Sequence, residues 1–537
     1  MKTRSILACM AICLLAGLFY ACKKSADTHT VMPPPPANDS TPLKKAAAGF
    51  AMGVGINYTL MNTSASYASL VKGQFNVVTF EYEMKHGAIV QNDGSYNFSN
   101  ADELLGLVNS DSLNVYGHVL AWYQNNNGSY LRSLLTAGAT GPNLIQNGSF
   151  EQGTANTLNN WFTQVSGGAV GAFSIDSTNV QDSSRALECV VTTPGAQVYN
   201  IQAVNDAWTA QANKSYKISF FAKSIGGGSF RAVSQGTTYY EQLNVSPGSA
   251  WTEYDWTVTP TETAPQVKFQ FGTAGTYFID HVTVTDPSTA PPPSPAVVTA
   301  RVDSALKNWI TATVTHFKGK VTGWDAVNES INDGSGTLRN NPTPGTTTND
   351  TWYWAEYLGR GYVAKAFQYA HAADPTVPLF INDYNLESDA IKLDSLLELV
   401  GELKTQGVPI SGVATQMHIS INTPTAGIDQ AFQKLAATGL KVKVSELDVR
   451  IDPGNASGFS PTDNLYQLQA GMYHYVASSY LRNIPAAQRF GMTVWDVTDN
   501  DSWIVTSQHD VDYPTLFDGT YNKKLAFYQF LAGLEGK

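Results

Sequence analysis

The 537-residue chain carries 33 lysines and arginines against 44 aspartates and glutamates, a formal net charge of -11, with only 14% charged residues beside 11% aromatics. An acidic chain without a basic stripe excludes nucleic acid as a partner, and this length suits one large barrel with one small added domain. Two of the four cysteines, Cys9 and Cys13, fall in the N-terminal apolar stretch, so no disulfide framework is available.

The chain begins with MKTR and the apolar run SILACMAICLLAGLFYA, whose charged start and short hydrophobic core read as an export signal rather than a membrane span. The run stops at Cys22, and residues 1–22 resemble a bacterial lipoprotein signal, in which that cysteine becomes the lipidated first residue. The resemblance implies anchoring to the cell envelope through a lipid at Cys22, with the outer membrane expected and its face left open. An ordinary signal peptide cut nearby is the alternative. Residues 23–46, with PPPP at 33–36, read as a flexible tether.

Eight runs rich in apolar and β-branched residues follow: 51–57, 75–81, 113–122, 320–329, 378–385, 412–418, 441–449 and 490–497. Helix-like stretches separate most of them, such as TARVDSALKNWITATVTHF before the fourth and AIKLDSLLELVGELKTQ before the sixth. Strand and helix in repetition predict an α/β fold, a (β/α)8 TIM barrel formed by residues 47–142 and 297–537. About two hundred residues separate Trp122 from Lys320, far more than a barrel connection needs. The barrel is therefore interrupted after strand three.

The interruption, residues 143–287, is a succession of short strand-like pieces broken by Gly, Ser, Asn and Thr, including ALECVVTT, YKISFFAKS, FRAVSQ and QVKFQFG. That spacing predicts an antiparallel β-sandwich. The Pro-rich stretch 288–296 is a semi-rigid linker back to the barrel. Cys189 in ALECVV reads as a buried, inert thiol. Tyr199, Tyr239 and Tyr240, set among polar residues, are the candidate glycan-contacting aromatics of this domain.

Two of the barrel runs end on or beside a carboxylate, Glu329 in WDAVNES and Glu446 in VKVSELDVR. The carboxyl ends of barrel strands are where such folds keep their catalytic groups. Two carboxylates there suit cleavage of a glycosidic bond, one protonating the leaving oxygen and the other attacking the sugar carbon. If Glu446 is the attacking group, it must be ionised. His418 and Gln416, at the end of the sixth run, are the expected donors to it, with Asp448 holding the imidazole. Asn328 is placed to donate to the sugar's 2-hydroxyl.

WDAVNES, INDYN, TQMH, VSELD and VWDVTDNDSW, preceded by VTFEYEMK and YGHVLAW, resemble the ordered motifs of glycoside hydrolase family 10, the retaining endo-β-1,4-xylanases. The resemblance implies Glu329 as acid/base and Glu446 as nucleophile, with xylan and xylo-oligosaccharides as substrate. It also implies a monomeric enzyme needing no cofactor for catalysis. Glu81, Lys85, His118, Trp122, Asn382, Trp495 and Trp503 match positions that hydrogen-bond or stack on bound sugar, and Gln416 joins them. The inserted domain, through NLIQNGSFE and YFIDHVTVTD, resembles carbohydrate-binding modules of the family 4, 9 and 22 group, which implies a structural calcium ion near Glu151 and Asp280. The family pattern is ENEMKW and WH where this chain has EYEMKH and Trp122-Tyr123, so Tyr82 and Tyr123 leave glycone contacts open. Two rival functions stand: a non-catalytic glycan-capture lipoprotein, and a hydrolase of the same mechanism acting on mixed-linkage glucan or cellulose.

Overall fold

The computed structural model describes residues 40–47, 49–136, 141–154, 157–289, 291–340 and 348–537; the signal stretch, Cys22 and most of the tether lie outside the described residues. The described chain folds as two compact units, one holding residues up to 134 and from 296 onward, the other Leu135–Pro295.

The first unit is a closed barrel of eight parallel strands: β1 (Ala51–Ile56), β2 (Val77–Phe80), β3 (Asn114–Gly117), β4 (Val321–Asn328), β5 (Leu379–Asp383), β6 (Gly412–Thr415), β7 (Lys441–Arg450) and β8 (Arg489–Val494). Each pairs with its neighbours in chain order, and β8 closes onto β1 with Ala51 opposite Gly491. All eight predicted runs lie on these strands. Every residue of β2, β5 and β6 is buried, as parallel strands covered by helices require.

The covering helices begin on side-chain caps. Asp389 accepts from the N–H groups of Ile391 and Lys392 ahead of the helix Ala390–Thr405, and Thr462 accepts from Leu465 ahead of Asp463–Asn483. Such a cap stabilises a helix start by about 1 kcal/mol. The barrel interior is filled by Val77, Tyr116, Phe380 and Ala414, with Ala51 and Phe490 packed against them. Pro295–His316 forms one helix, so the predicted linker 288–296 ends slightly earlier than its composition suggests.

The carboxyl ends of four strands turn sharply. Glu329 after β4, Asn385 after β5, Met417 after β6 and Asp496 after β8 all take left-handed backbone angles, with φ of 53°, 60°, 66° and 65°. For a non-glycine residue this conformation costs about 1–3 kcal/mol and persists only where surrounding contacts enforce it. It marks this rim as the functional one.

The second unit is a sandwich of two five-stranded antiparallel sheets. One orders Thr252–Val258, Tyr216–Ile225, Gly275–Thr285, Ala186–Thr193 and Val170–Asp176; the other Tyr240–Val245, Phe230–Gln235, Gln266–Phe271, Ile201–Asn205 and Trp161–Val165. Three of these, at 161–165, 201–205 and 240–245, have no counterpart among the predicted pieces. Phe220, Phe230, Phe269, Phe271 and Tyr277 pack between the sheets. Cys189 is buried there at 1% exposure, and burial pushes its thiol far above the ordinary range. The ends of the insert meet: Leu144 N–H donates to the Val284 carbonyl at 2.8 Å, and Val284 N–H to Asn143 Oδ1 at 2.9 Å.

Two expectations for this unit are corrected. Tyr239 is only 7% exposed and belongs to the core, donating its hydroxyl to Glu241 at 2.8 Å, so it is no platform residue. Tyr199 and Tyr240, at 48% and 46%, remain on the surface. Glu151 accepts from the backbone of Ser184 and Arg185 and the Ser184 hydroxyl, while Asp280 accepts from the backbone of Gln181, Asp182 and His281. Carboxylates saturated by N–H and O–H donors do not fit a calcium site. Among the described residues no three His, Cys, Asp or Glu side chains converge as a metal site would need, and no helix is long and apolar enough to cross a membrane.

Candidate active site

A cleft of about 610 Å³ opens at the carboxyl ends of the barrel strands. Its lining includes Glu329 and Glu446 together with Glu81, Lys85, His118, Trp122, Asn328, Gln416, His418, Trp495 and Trp503. Asp448 and Asn382, also predicted, stand behind this lining.

Glu329 is 8% exposed and sits where β4 turns. Its Oε1 accepts from Gln416 Nε2 at 2.9 Å and Asn328 Nδ2 at 3.2 Å, both neutral amides, leaving Oε2 without a hydrogen bond among the described residues. Arg339 donates from Nε to the Glu329 carbonyl at 2.9 Å. An oxygen held on one side and free on the other is what a proton donor to a leaving group needs.

Glu446 is held differently. Asn382 Nδ2 donates to its Oε1 at 2.8 Å, and His418 Nε2 lies 3.4 Å from Oε2. His418 Nδ1 lies 2.6 Å from Asp448 Oδ2, which also accepts from Trp503 Nε1 at 2.9 Å. Burial works against a charged His418, yet the carboxylates of Asp448 and Glu446 outweigh it and raise the imidazole's pKa well above the usual histidine range. Burial likewise pushes Glu446 up, but the His418 and Asn382 donors prevail and hold it at about 2. The anionic form is therefore the resting form near neutrality, as a nucleophile requires.

One donor assignment and one sugar contact read from the sequence change. Gln416 serves Glu329, not Glu446. Asn382 is fully buried, gives Nδ2 to Glu446 and accepts the Ser445 hydroxyl at 2.7 Å on Oδ1, so it positions the carboxylate and has no end left for sugar. β4 pairs Asn328 with Asn382 on β5, and the Asn382 side chain reaches Glu446 on β7.

The remaining wall mixes charge and rings. Lys85 is 7% exposed with Nζ 4.7 Å from the Trp122 ring; burial lowers its pKa against the opposing charges of Glu446, Glu81 and Glu329. His118 Nδ1 lies 2.9 Å from Asp325 Oδ2, whose Oδ1 accepts from the Tyr116 hydroxyl at 2.8 Å. Burial, then the charge of Asp501, raises Glu81 to about 7, and burial with the charge of Glu81 raises Asp496 well above the carboxylate range. Glu81 Oε1 has no hydrogen-bond partner among the described residues.

Tyr82 is 44% exposed on the cleft wall. Tyr123 is stacked on Tyr353 at 5.4 Å and lies 4.5 Å from the Arg339 guanidinium, accepting from Gln124 Nε2 at 2.6 Å. Burial, then the charge of Glu329, pushes its phenol up to about 12. His86, the other departure in EYEMKH, is out of the cleft: burial pulls it down to about 3, and its neutral Nδ1 accepts from Asn127 N–H at 3.0 Å. Arg339 escaped sequence reading because GSGTLRNN is a loop with no periodicity, and only its approach to Tyr123 and Glu329 singles it out.

Known proteins resemble this chain in sequence and in fold. The family model described as Glycosyl hydrolase family 10 matches residues 42–232 and 292–532. The chain is 36% identical over 248 residues to the endo-beta-1,4-xylanase Xyn10C of Cellvibrio japonicus, covering 43% of this chain and 40% of that protein. It thus spans about two-fifths of that relative's length. A family 10 structure from Paenibacillus barcinonensis superposes with a TM-score of 0.57 at 21% identity, covering 92% of this chain and 97% of the other. An intracellular xylanase of Thermoanaerobacterium saccharolyticum, solved with xylotriose, gives 0.55 at 21%, covering 92% and 99%. At these identities the structural likeness speaks for the fold.

Proposed function

The chain belongs to glycosyl hydrolase family 10, and from that premise we propose that it is a retaining endo-1,4-β-xylanase. The observation that carries the reading is the unequal support of two carboxylates in one cleft: Glu446 is held ionised by His418 and Asn382, while Glu329 is held on one oxygen by neutral amides. In the first step Glu446 attacks the anomeric carbon as Glu329 gives its proton to the leaving oxygen. In the second, Glu329 takes a proton from water, which attacks the glycosyl-enzyme and restores Glu446. Indole faces of Trp122, Trp495 and Trp503 suit pyranose rings, and Glu81, Lys85 and His118 suit hydroxyl edges. The 36% identity to an endo-beta-1,4-xylanase supports xylan as substrate.

The inserted sandwich is a glycan-binding module in this reading, with Tyr199 and Tyr240 exposed for contact. Export and a lipid at Cys22 place the monomeric enzyme on the cell envelope. Reducing-sugar release from xylan, mixed-linkage glucan and soluble cellulose tests the activity; release from glucan alone, or from none, overturns it. Substitution of Cys22→Ser tests the anchor, and retention of that variant in the membrane fraction overturns it.

A further inference from the structure

A second cavity, about 250 Å³, lies at the opposite end of the barrel. Ala51, Val77 and Asn114, the first residues of β1, β2 and β3, are part of its lining, so it sits at the amino end of the strands, away from the cleft. Ala51, Val77 and Phe490 form the apolar part of that lining. Lys443 of β7 is its one cation among the described residues: it is 3% exposed, and its Nζ has no hydrogen bond or ion pair among the described residues. Its near neighbour is the face of Tyr116, 3.4 Å from Nζ to the ring centroid.

A buried ammonium with no anion in direct contact is costly to retain, so such groups are paired or give up their charge. Burial does pull Lys443 down, to about 8, with the carboxylates of Asp325 and Glu446 opposing the fall. The ammonium form therefore persists at neutral pH. Thr493 and Asn76 add a hydroxyl and an amide to the same lining, and Asn76 uses only its Oδ1, which accepts from Met52 N–H at 2.9 Å. One cation and four neutral polar side chains, Asn76, Asn114, Thr322 and Thr493, line a space that no carboxylate among the described residues lines.

We propose that this cavity is a binding site for a small monovalent anion, a halide or a short carboxylate, held by Lys443 with Thr493 and Asn76. At about 30 Å³ per water molecule, the space takes such an ion with a few waters and excludes an oligosaccharide. Anion binding here stabilises the fold by giving the ammonium a counter-charge in direct contact, since a ligand that binds only the native state raises stability with its concentration.

The test is thermal unfolding of the full chain near pH 6.5, with chloride, bromide or acetate exchanged for gluconate at fixed ionic strength. The wild type should gain several degrees in a saturable way, and Lys443→Met should not. A gain with both halides marks an inorganic ion, and a gain with acetate alone marks a carboxylate. Absence of a saturable gain in the wild type, or an equal gain in both proteins, overturns the site. Should Lys443→Met not fold, Lys443→Arg replaces it: a shifted half-saturation concentration is expected, and an unchanged one overturns the assignment.

Discussion

Asn382 holds Glu446 with a 2.8 Å hydrogen bond from Nδ2, and the carbonyl of the same asparagine accepts the backbone N–H of Glu329 at 2.8 Å. One residue of β5 thus contacts both proposed catalytic carboxylates, Glu446 through its side chain and Glu329 through its backbone.

Glu446→Ala and Glu329→Ala should each lower kcat on xylan by about 10²–10⁴-fold or more, the range for losing a positioned acid/base or nucleophile, with the barrel still folded by circular dichroism. Azide should restore turnover to Glu329→Ala and yield a β-glycosyl azide. An α-configured first product from the wild type would contradict retention.

His418→Gln removes the cation that holds Glu446 down, so the acidic limb of kcat/KM should move to higher pH. Stability follows the same group. Glu446 is lowered from about 4.5 to about 2, so its contribution is present above pH 4.5 and is lost as pH falls toward 2. His418 is raised, so its contribution is full below about 6.5 and is lost as pH climbs through its folded value. Thermal melts across pH 2–7 should show a shallower acid loss in His418→Gln. Superimposable profiles would mean that the imidazole does not control Glu446.

Glu81 is raised to about 7, so the folded state holds more protons than the unfolded one between about 4.5 and 7 and stability falls as pH rises through that window. Glu81→Gln cannot ionise and should melt higher than wild type at pH 8, with little difference at pH 5. Its KM for xylo-oligosaccharides should rise, because a sugar hydroxyl loses an acceptor worth about 1–3 kcal/mol. A variant that melts lower at pH 8 would remove the argument.

Tyr82→Asn should lower KM for unsubstituted xylo-oligosaccharides by restoring the family's side chain on an exposed cleft wall, with kcat little changed. Tyr123→His is a harsher change, since it breaks the stack with Tyr353 and the contact with Arg339 beside Glu329. It should lower kcat as well as alter KM. If both substitutions weaken binding, the tyrosines serve a different glycan.

Deleting 143–287 and joining the flanks should leave a folded barrel, because the ends of the insert already meet, Leu144 by a backbone hydrogen bond to Val284 and Asn143 through its side-chain Oδ1. Short oligosaccharides should be cleaved as before and insoluble xylan more slowly. Equal loss on both substrates would show that the sandwich has a part in catalysis.

The sequence by itself determined the barrel, its interruption and the two glutamates. Fully buried strands announce themselves as apolar runs, as in LFIND, and a carboxylate at the end of such a run has few structural reasons to be there. Short sandwich strands such as IQAVN and YEQLNV were illegible because three or four apolar residues alternating with Gln and Asn look like loop. Only the tertiary structure decided which donor serves which acceptor. Gln416 reaches Glu329, Asn382 reaches Glu446 across 64 residues, and Tyr239 turns into the core while Tyr240 turns out. These outcomes depend on strand register and closure, where a shift of one residue sends a side chain to the opposite face. Composition and periodicity reveal a strand's existence; its partners are set by packing between segments distant in the chain.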